Sequence, residues 1–291
     1  FRKNILEYSY KMSKISGEVV ILQKNEITWQ AGGQQGEGLE SLGAILASVL
    51  SRQGYYLYGF RQFSSRIKGG HTNYKIRIAT QPVGTLNKQC DLLIALDQDT
   101  LVNEALALGE NGIILAEKAI ADFYTGKGKL LAVPFNDIAK QYGTILQKNI
   151  VALGCTAAIF GLGEDCFAVQ LQKEFGKKGE EAIAANLRVF KAGLEFVKTE
   201  APELLAKKQL PALTSNEPKL FLLGNEALAF GALSAGARFM AAYPSTPASE
   251  VMEYMVKKVK ELGGQMLQAE DEIAACTMAI GASYGGARAF T

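Results

Sequence analysis

Side chains capable of chemistry are sparse in this 291-residue chain. It has one histidine, four cysteines and a formal net charge of +2 from 31 basic and 29 acidic residues. Four short segments stand out. The first is Ala31-Gly32-Gly33-Gln34-Gln35-Gly36-Glu37-Gly38. Free backbone N–H groups in such a turn, together with the dipole of a following helix, suit an anion. Ala31, Gly33 and Gly36 fall on the three positions of the dinucleotide fingerprint, but alanine is a poor first member. The second strand also leads to Arg61, not to the acid that would hold a ribose. No Gly-Lys-Ser/Thr follows, so the segment is not a P-loop. Three readings stand open: a phosphate or nucleotide contact through Gly33, Gly36 and Gly38, NAD(P) binding, or glycines that only permit a tight turn.

The second segment is Ser64-Ser65-Arg66-Ile67-Lys68-Gly69-Gly70-His71. Arg66 and Lys68 beside the Gly69-Gly70 pair suit an anionic ligand or a partner subunit, or equally a solvated loop. His71 has no Asp, Cys or second His beside it in sequence and is not read as catalytic. The third is Tyr243-Pro244-Ser245-Thr246-Pro247, where a strand gives way to a helix. Thr246 either caps that helix or offers a hydroxyl at the carboxyl end of the strand, where ligands of open α/β sheets gather. The fourth is Glu270-Asp271-Glu272 at another helix start. These acids either complement the helix dipole, or one of them hydrogen-bonds a heterocycle nitrogen.

The elements that must position these segments follow from hydrophobic spacing. Strands are expected at 27–30, 55–58, 74–79, 91–96 and 112–116, with helices at 39–53 and 103–108 and an almost wholly helical stretch from 148 to 199, broken near 161–164. Three of the seven prolines fall within residues 200–219, which reads as an interdomain linker. A second alternation follows: strand 220–223, helix 225–235, strand 239–242, helix 248–262, strand 265–268, helix 271–282, and a further strand beginning at 287. The predicted fold class is α/β with parallel-rich sheets. The domains are an N-terminal extension (1–25), a first α/β domain (26–199), the linker (200–219) and a second α/β domain (220–291), too small for an independent core and read as truncated. Residues 1–11, which precede Met12, are read as a cloning or gene-call extension.

Composition narrows the function. Near-neutral charge without a basic run argues against nucleic-acid binding. No charge-free run is longer than that at 149–163, which has 15 residues including three glycines, too short to span a bilayer. Cys90, Cys155, Cys166 and Cys276 form no CxxC pair and no cluster with His, which argues against a metal or iron–sulfur centre held by this chain alone. They read as reduced cysteines of a cytoplasmic protein, and no signal peptide is evident.

Taken together, the Ala-Gly-Gly-Gln-Gln-Gly-Glu-Gly and Ser-Arg-Ile-Lys-Gly-Gly segments, followed by Tyr-Pro-Ser-Thr-Pro and Glu-Asp-Glu-Ile-Ala-Ala, resemble the 2-oxoacid:acceptor (ferredoxin) oxidoreductases. The resemblance is to an alpha subunit with the gamma domain fused at its N-terminus, and it covers roughly residues 26–291. It implies a gamma-type first domain and, from 220 onward, the pyrimidine-binding domain of a thiamine diphosphate enzyme. The implied reaction is oxidative decarboxylation of a 2-oxoacid, with 2-oxoglutarate the expected substrate, coenzyme A collecting the acyl group and ferredoxin the electrons. Pyruvate, branched-chain 2-oxoacids and indolepyruvate are the alternative substrates. Within the resemblance, Glu272 (with Glu270 as fallback) bonds the cofactor's aminopyrimidine, Thr246 contacts substrate, and Tyr243 and Pro244 belong to the cofactor loop. Neither a Gly-Asp-Gly…Asn-Asn motif nor a cysteine cluster is present, so Mg2+ and a [4Fe-4S] cluster are expected on a beta subunit, in a heterodimer or a dimer of heterodimers. The arginine for the substrate carboxylate is expected downstream of Thr291, since Arg61, Arg66 and Lys68 do not match it. A nucleotide-binding or electron-transfer accessory subunit without thiamine chemistry is the reading from another class, and a scaffold subunit is the third.

Overall fold

The computed structural model describes residues 25–63, 70–126 and 128–291. The chain divides into two compact units, up to Lys219 and from Leu220 onward. In chain order the first unit contains β1 (Glu26–Gln34), α1 (Leu39–Gln53), β2 (Tyr56–Gln62), β3 (His71–Ala79), β4 (Cys90–Ala95), α2 (Gln98–Asn103), β5 (Leu108–Glu117), β6 (Lys129–Val133), α3 (Phe135–Tyr142), α4 (Lys148–Phe160), α5 (Glu164–Phe175) and α6 (Glu180–Glu200). Its six strands run in the order β2-β3-β1-β4-β5-β6. From β1 to β6 the pairings are parallel, whereas β3 lies antiparallel between β1 and β2.

Side-chain alternation along β1 sorts the layers. Trp29, fully buried, points to one face and donates from Nε1 to the Thr156 hydroxyl on α4 (3.3 Å). Gln30 points to the other face and donates to Glu104, just after α2 (2.6 Å). Helices therefore cover both faces. The tightest helix pair is α4 against α6. A Cβ on Gly193 would run into the backbone of Val151, and one on Gly154 into that of Phe190, so the two glycines let these helices meet backbone to backbone. Phe167 and Phe190 stack beside them with ring centroids 4.8 Å apart.

Several elements differ from expectation. The helix expected at 103–108 is α2 at 98–103, because Asp97 caps it by accepting from Thr100 N (2.9 Å). No strand was expected at β6, a short edge strand whose residues are mostly half-exposed. The stretch 220–223 is not a strand: Leu220 is 76% exposed, and among the described residues no strand pairs with this segment. Residues 200–219 pack on the first unit along much of their length. Leu204 and Leu210 are buried, Ala206 N and Lys208 N donate to the end of α4, Tyr55 Oη donates to Pro211 O (2.8 Å), and Lys219 N donates to Ser51 O (2.7 Å). Lys208 and the buried Asp91 form an ion pair at 3.7 Å.

The second unit contains α7 (Gly224–Ser234), β7 (Phe239–Ala242), α8 (Ser249–Lys258), β8 (Gln265–Gln268), α9 (Glu272–Tyr284) and the short β9 (Ala289–Phe290). All its pairings are parallel, in the order β8-β7-β9. Met240 and Ala242 on β7 pack with Leu233 of α7 and Val251, Met252 and Met255 of α8. The chain moves from β7 to β8 on one side, then returns past β7 to β9 on the other. Right-handed crossovers in opposite directions put α8 and α9 on opposite faces.

Candidate functional site

That winding creates a topological switch point between β7 and β8, and crevices outside the carboxyl ends of strands at such points are where α/β sheets bind ligands. Ala242 pairs with Gln268, and Ala269 N donates to Ala242 O (2.9 Å). The two strands thus end side by side. The Tyr243–Ala248 loop leaves one end, and Glu270-Asp271-Glu272 leaves the other. The structure brings Tyr243, Pro244, Thr246 and Glu272 to the same sheet edge, and all four are exposed.

The two capping alternatives resolve differently. The residue before α8 is Ala248, and no side chain caps that helix, so Thr246 is not its cap. Asp271 does cap α9, accepting from Ala274 N (2.7 Å). With that task taken by Asp271, Glu272 stands at the first helical position with its carboxylate in the open. Exposed apolar side chains, Ile273 and Tyr243, lie close in sequence to these site residues. One contributor was not singled out from sequence. Asn225, in the first turn of α7, donates from Nδ2 to Pro247 O (2.9 Å) and Glu250 Oε2 (3.0 Å), tying the loop to α7 and α8. Only the third dimension reveals it, since it lies 22 residues from the carbonyl it holds.

For thiamine diphosphate the fit is partial. The edge offers a carboxylate and a hydroxyl at a ligand-binding position, but neither a cation cluster nor a diphosphate cradle is seen there. Among the described residues, no group of three or more His, Cys, Asp or Glu could hold a metal.

The first unit repeats the layout. With α1 and α2 on opposite faces, its switch point lies between β1 and β4, and the glycine turn sits at the carboxyl end of β1. Ala31, Gly32 and Gly33 belong to the strand itself, so the turn is confined to residues 35–38. Gly36 (φ 99°) and Gly38 (φ 77°) occupy the left-handed region that other residues avoid, while Gly33 is buried. A cavity of about 200 Å3 beside the turn is lined by Gln35, Gly36, Leu39, Arg61, Phe63 and Thr72, among others. Gly70 is buried, and its carbonyl accepts from Gln35 N (2.9 Å). Arg66, Lys68 and Gly69 lie outside the described residues.

His71 has a carboxylate partner after all. Its Nε2 lies 3.2 Å from Glu104 Oε1, which also accepts from Asn73 Nδ2 (2.9 Å), while Gln30 Nε2 donates to Glu104 Oε2. No sequence signal announced this cluster, because Glu104 is 33 residues from His71. Burial pushes the Cys90 thiol up to about 12 and raises that of Cys155 as well, so neither is poised as a nucleophile. Cys166 and Cys276 are exposed. No described helix is long and apolar enough to cross a membrane.

Comparison with known proteins bears on both units. The profile of the pyruvate ferredoxin/flavodoxin oxidoreductase family matches residues 28–196, and that of the pyruvate flavodoxin/ferredoxin oxidoreductase thiamine diphosphate-binding domain matches residues 230–291. A 2-oxoacid:ferredoxin oxidoreductase subunit alpha from Sulfolobus sp is 27% identical over 91% of this chain and 49% of its own length. The 2-oxoglutarate synthase subunit KorA of Methanocaldococcus jannaschii is 48% identical over 71 residues, 24% of this chain and 19% of that protein. Among solved structures, a 2-oxoglutarate:ferredoxin oxidoreductase from Magnetococcus marinus, with 2-oxoglutarate, coenzyme A and succinyl-CoA bound, superposes with a TM-score of 0.78 at 30% identity, covering 92% of this chain and 47% of that one. The chain therefore spans about half the length of the long relatives it matches. It belongs to the pyruvate ferredoxin/flavodoxin oxidoreductase family.

Proposed function

We propose, from that membership, that the chain is part of the alpha subunit of a 2-oxoacid:ferredoxin oxidoreductase and supplies the pyrimidine side of a thiamine diphosphate site. The observation that carries the reading is the meeting of the Tyr243–Thr246 loop and Glu272 at the carboxyl ends of β7 and β8, within the stretch that matches the thiamine diphosphate-binding profile. When bound, the cofactor supplies the nucleophilic carbon and electron sink that decarboxylation of a 2-oxoacid requires. Glu272 holds a hydrogen bond to a ring nitrogen, and Asp271 fixes the start of α9 that presents it. Thr246 offers its hydroxyl to substrate from a loop braced by Asn225.

The exposure of Glu272 fits a site completed by a second surface. A beta subunit carrying Mg2+, the diphosphate contacts and a [4Fe-4S] cluster would close over it, remove water and strengthen the carboxylate's hydrogen bond. Coenzyme A and ferredoxin are the co-substrate and acceptor. We favour 2-oxoglutarate as the substrate, supported by the local identity with the 2-oxoglutarate synthase subunit and the likeness to the 2-oxoglutarate enzyme. The location that follows is the cytoplasm.

The test uses the full-length subunit co-expressed with its beta partner. Reduction of ferredoxin or a viologen should depend on 2-oxoglutarate and coenzyme A. Glu272→Gln should lower kcat by about 100-fold or more, and Glu270→Gln should leave it near the native value. Retained activity in Glu272→Gln would overturn the assignment of the site.

A further inference from the structure

The strand-end loop Tyr243–Ala248 must hold Thr246 in one place if its hydroxyl is to meet a substrate, yet little within the loop does so. Every residue from Tyr243 to Ala248 is exposed, so packing does not fix it. Its base is anchored, because Ala269 N donates to Ala242 O (2.9 Å), and its far end joins α8, where Ser249 N donates to Ser245 O (3.1 Å). Between these ends, among the described residues, Asn225 is the one side chain that hydrogen-bonds to the loop's backbone. Its Nδ2 donates to Pro247 O (2.9 Å) and to Glu250 Oε2 (3.0 Å). Both partners are acceptors, so the amide nitrogen faces them and both of its hydrogens are used, which an aspartate of the same shape could not imitate. The helix that carries Asn225 is itself firmly seated. Glu226 accepts from Leu223 N (3.1 Å) at the start of α7, and Ala229 and Leu233 share a core with Val251, Met252 and Met255 of α8.

We propose that Asn225 is a positioning residue that sets the affinity for the 2-oxoacid by holding Pro247 O, and through it the Thr246 hydroxyl. The lever is short. Proline fixes its own φ at about −65° and restricts the residue before it, so one soft torsion, the ψ of Pro247, separates the held carbonyl from the Thr246 peptide. Without Asn225, Thr246 moves with an exposed loop, and a contact misplaced by about an ångström is costly even where the chemistry is intact. Glu272 leaves the end of the other strand, and Asp271 fixes its helix, so the contact to the thiamine ring is spared. The inference rests on the reading of Thr246 as the substrate contact and adds the group that places it.

The test uses the full-length subunit co-expressed with its beta partner. Asn225→Ala and Asn225→Asp should raise the KM for 2-oxoglutarate by about tenfold or more. The thiamine diphosphate concentration for half-maximal activity should stay within about twofold of native, and the thermal midpoint within about 2 °C. A purely structural role would lower the midpoint and weaken cofactor and substrate together. That result overturns the proposal, as does an unchanged KM in both variants. Thr246→Val separates this inference from the reading beneath it. In that background Asn225→Ala should add little to KM, because both changes remove one contact. If Thr246→Val keeps the native KM, the substrate reading of Thr246 fails and this inference falls with it. If Thr246→Val raises KM and the Asn225 variants do not, only the role of Asn225 fails. Hydrogen exchange in the 291-residue chain gives a readout without turnover. The Ser249 amide, bonded to Ser245 O, should exchange about fivefold faster or more in Asn225→Ala, while the Ala235 amide, bonded to Gly231 O at the end of α7 (2.9 Å), keeps its native rate. Equal Ser249 rates in variant and native chain overturn the proposal. If Asn225→Ala does not assemble with the beta partner, Asn225→Ser, which keeps one donor, takes its place. If neither assembles, Asn225 holds the fold and the proposal falls.

Discussion

The two units share one plan, parallel strands with helices wound to opposite faces and a switch point at their carboxyl ends, but they complete it differently. In the first unit the crevice is satisfied from within, by Glu37 and Lys148 at the turn and by Glu104 gathering Gln30, His71 and Asn73 nearby. In the second unit the corresponding edge stays open. Tyr243, Thr246, Glu270 and Glu272 are all exposed, and α9 buries only Ala275 and Ala279 while Ile273 (76%), Ile280 (56%) and Tyr284 (91%) face outward. Charged residues are cheap to leave in water, but a row of large apolar side chains is not. The contrast separates a unit whose crevice is filled by its own side chains from one that leaves its strand-end edge and an apolar helix face exposed.

The largest effect expected from this contrast is in the first unit's core. Phe190→Ala removes a fully buried ring from the α4–α5–α6 cluster and should cost about 3–5 kcal/mol. Trp29 is the chain's single tryptophan and is buried in that unit, so its fluorescence in a urea titration reports the loss. A loss below about 1 kcal/mol would break the comparison, because the first unit would then not depend on that core.

A smaller effect is expected at Glu117, a buried carboxyl that accepts from Asn136 N (3.1 Å). Burial raises its pKa above the ordinary range. The folded state therefore holds this proton more tightly than the unfolded chain does. This group's contribution to stability is fully present below the unfolded value of about 4.3 and is lost as the pH rises through the higher folded value. Glu117→Gln keeps an acceptor for Asn136 N and lacks that charge, so its urea midpoint should fall less between pH 4 and pH 7 than that of the native chain. Parallel curves would remove Glu117 from the account.

The smallest effect sharpens the other side. Tyr284→Ser should change the thermal stability of this chain by no more than about 0.5 kcal/mol, despite deleting a large aromatic ring. A loss of several kcal/mol, measured by circular dichroism, would mean that the ring is buried after all.

The same contrast explains what could be read from the sequence. Elements with strong local signals were legible: α1 at 39–53, β7 at 239–242 and β8 at 265–268 were all expected with those boundaries. So was the broken helical stretch that became α4, α5 and α6. What escaped depends on partners distant in the chain. A four-residue apolar run such as 220–223 cannot reveal whether a strand stands ready beside it, and the antiparallel insertion of β3 between β1 and β2 leaves no periodic trace. The open edge of the second unit was legible because strand ends, proline and acids mark it locally. The Glu104 cluster was not. Glu37 is the instructive intermediate: it reaches only three residues back, so its contact was local enough to read, but the cation that fixes it comes from Lys148, 111 residues downstream.

The packed segment 200–219 bears on where such a chain could be cut without loosening the first unit. A break after residue 199 would strip Leu204 and Leu210 from the surfaces they cover, and would leave Asp91 without Lys208 and the Tyr55 hydroxyl without its acceptor. A break after Lys219 would cut none of these ties. By its contacts, then, the proline-rich stretch is a physical part of the first unit, and the boundary between the compact units lies at its end.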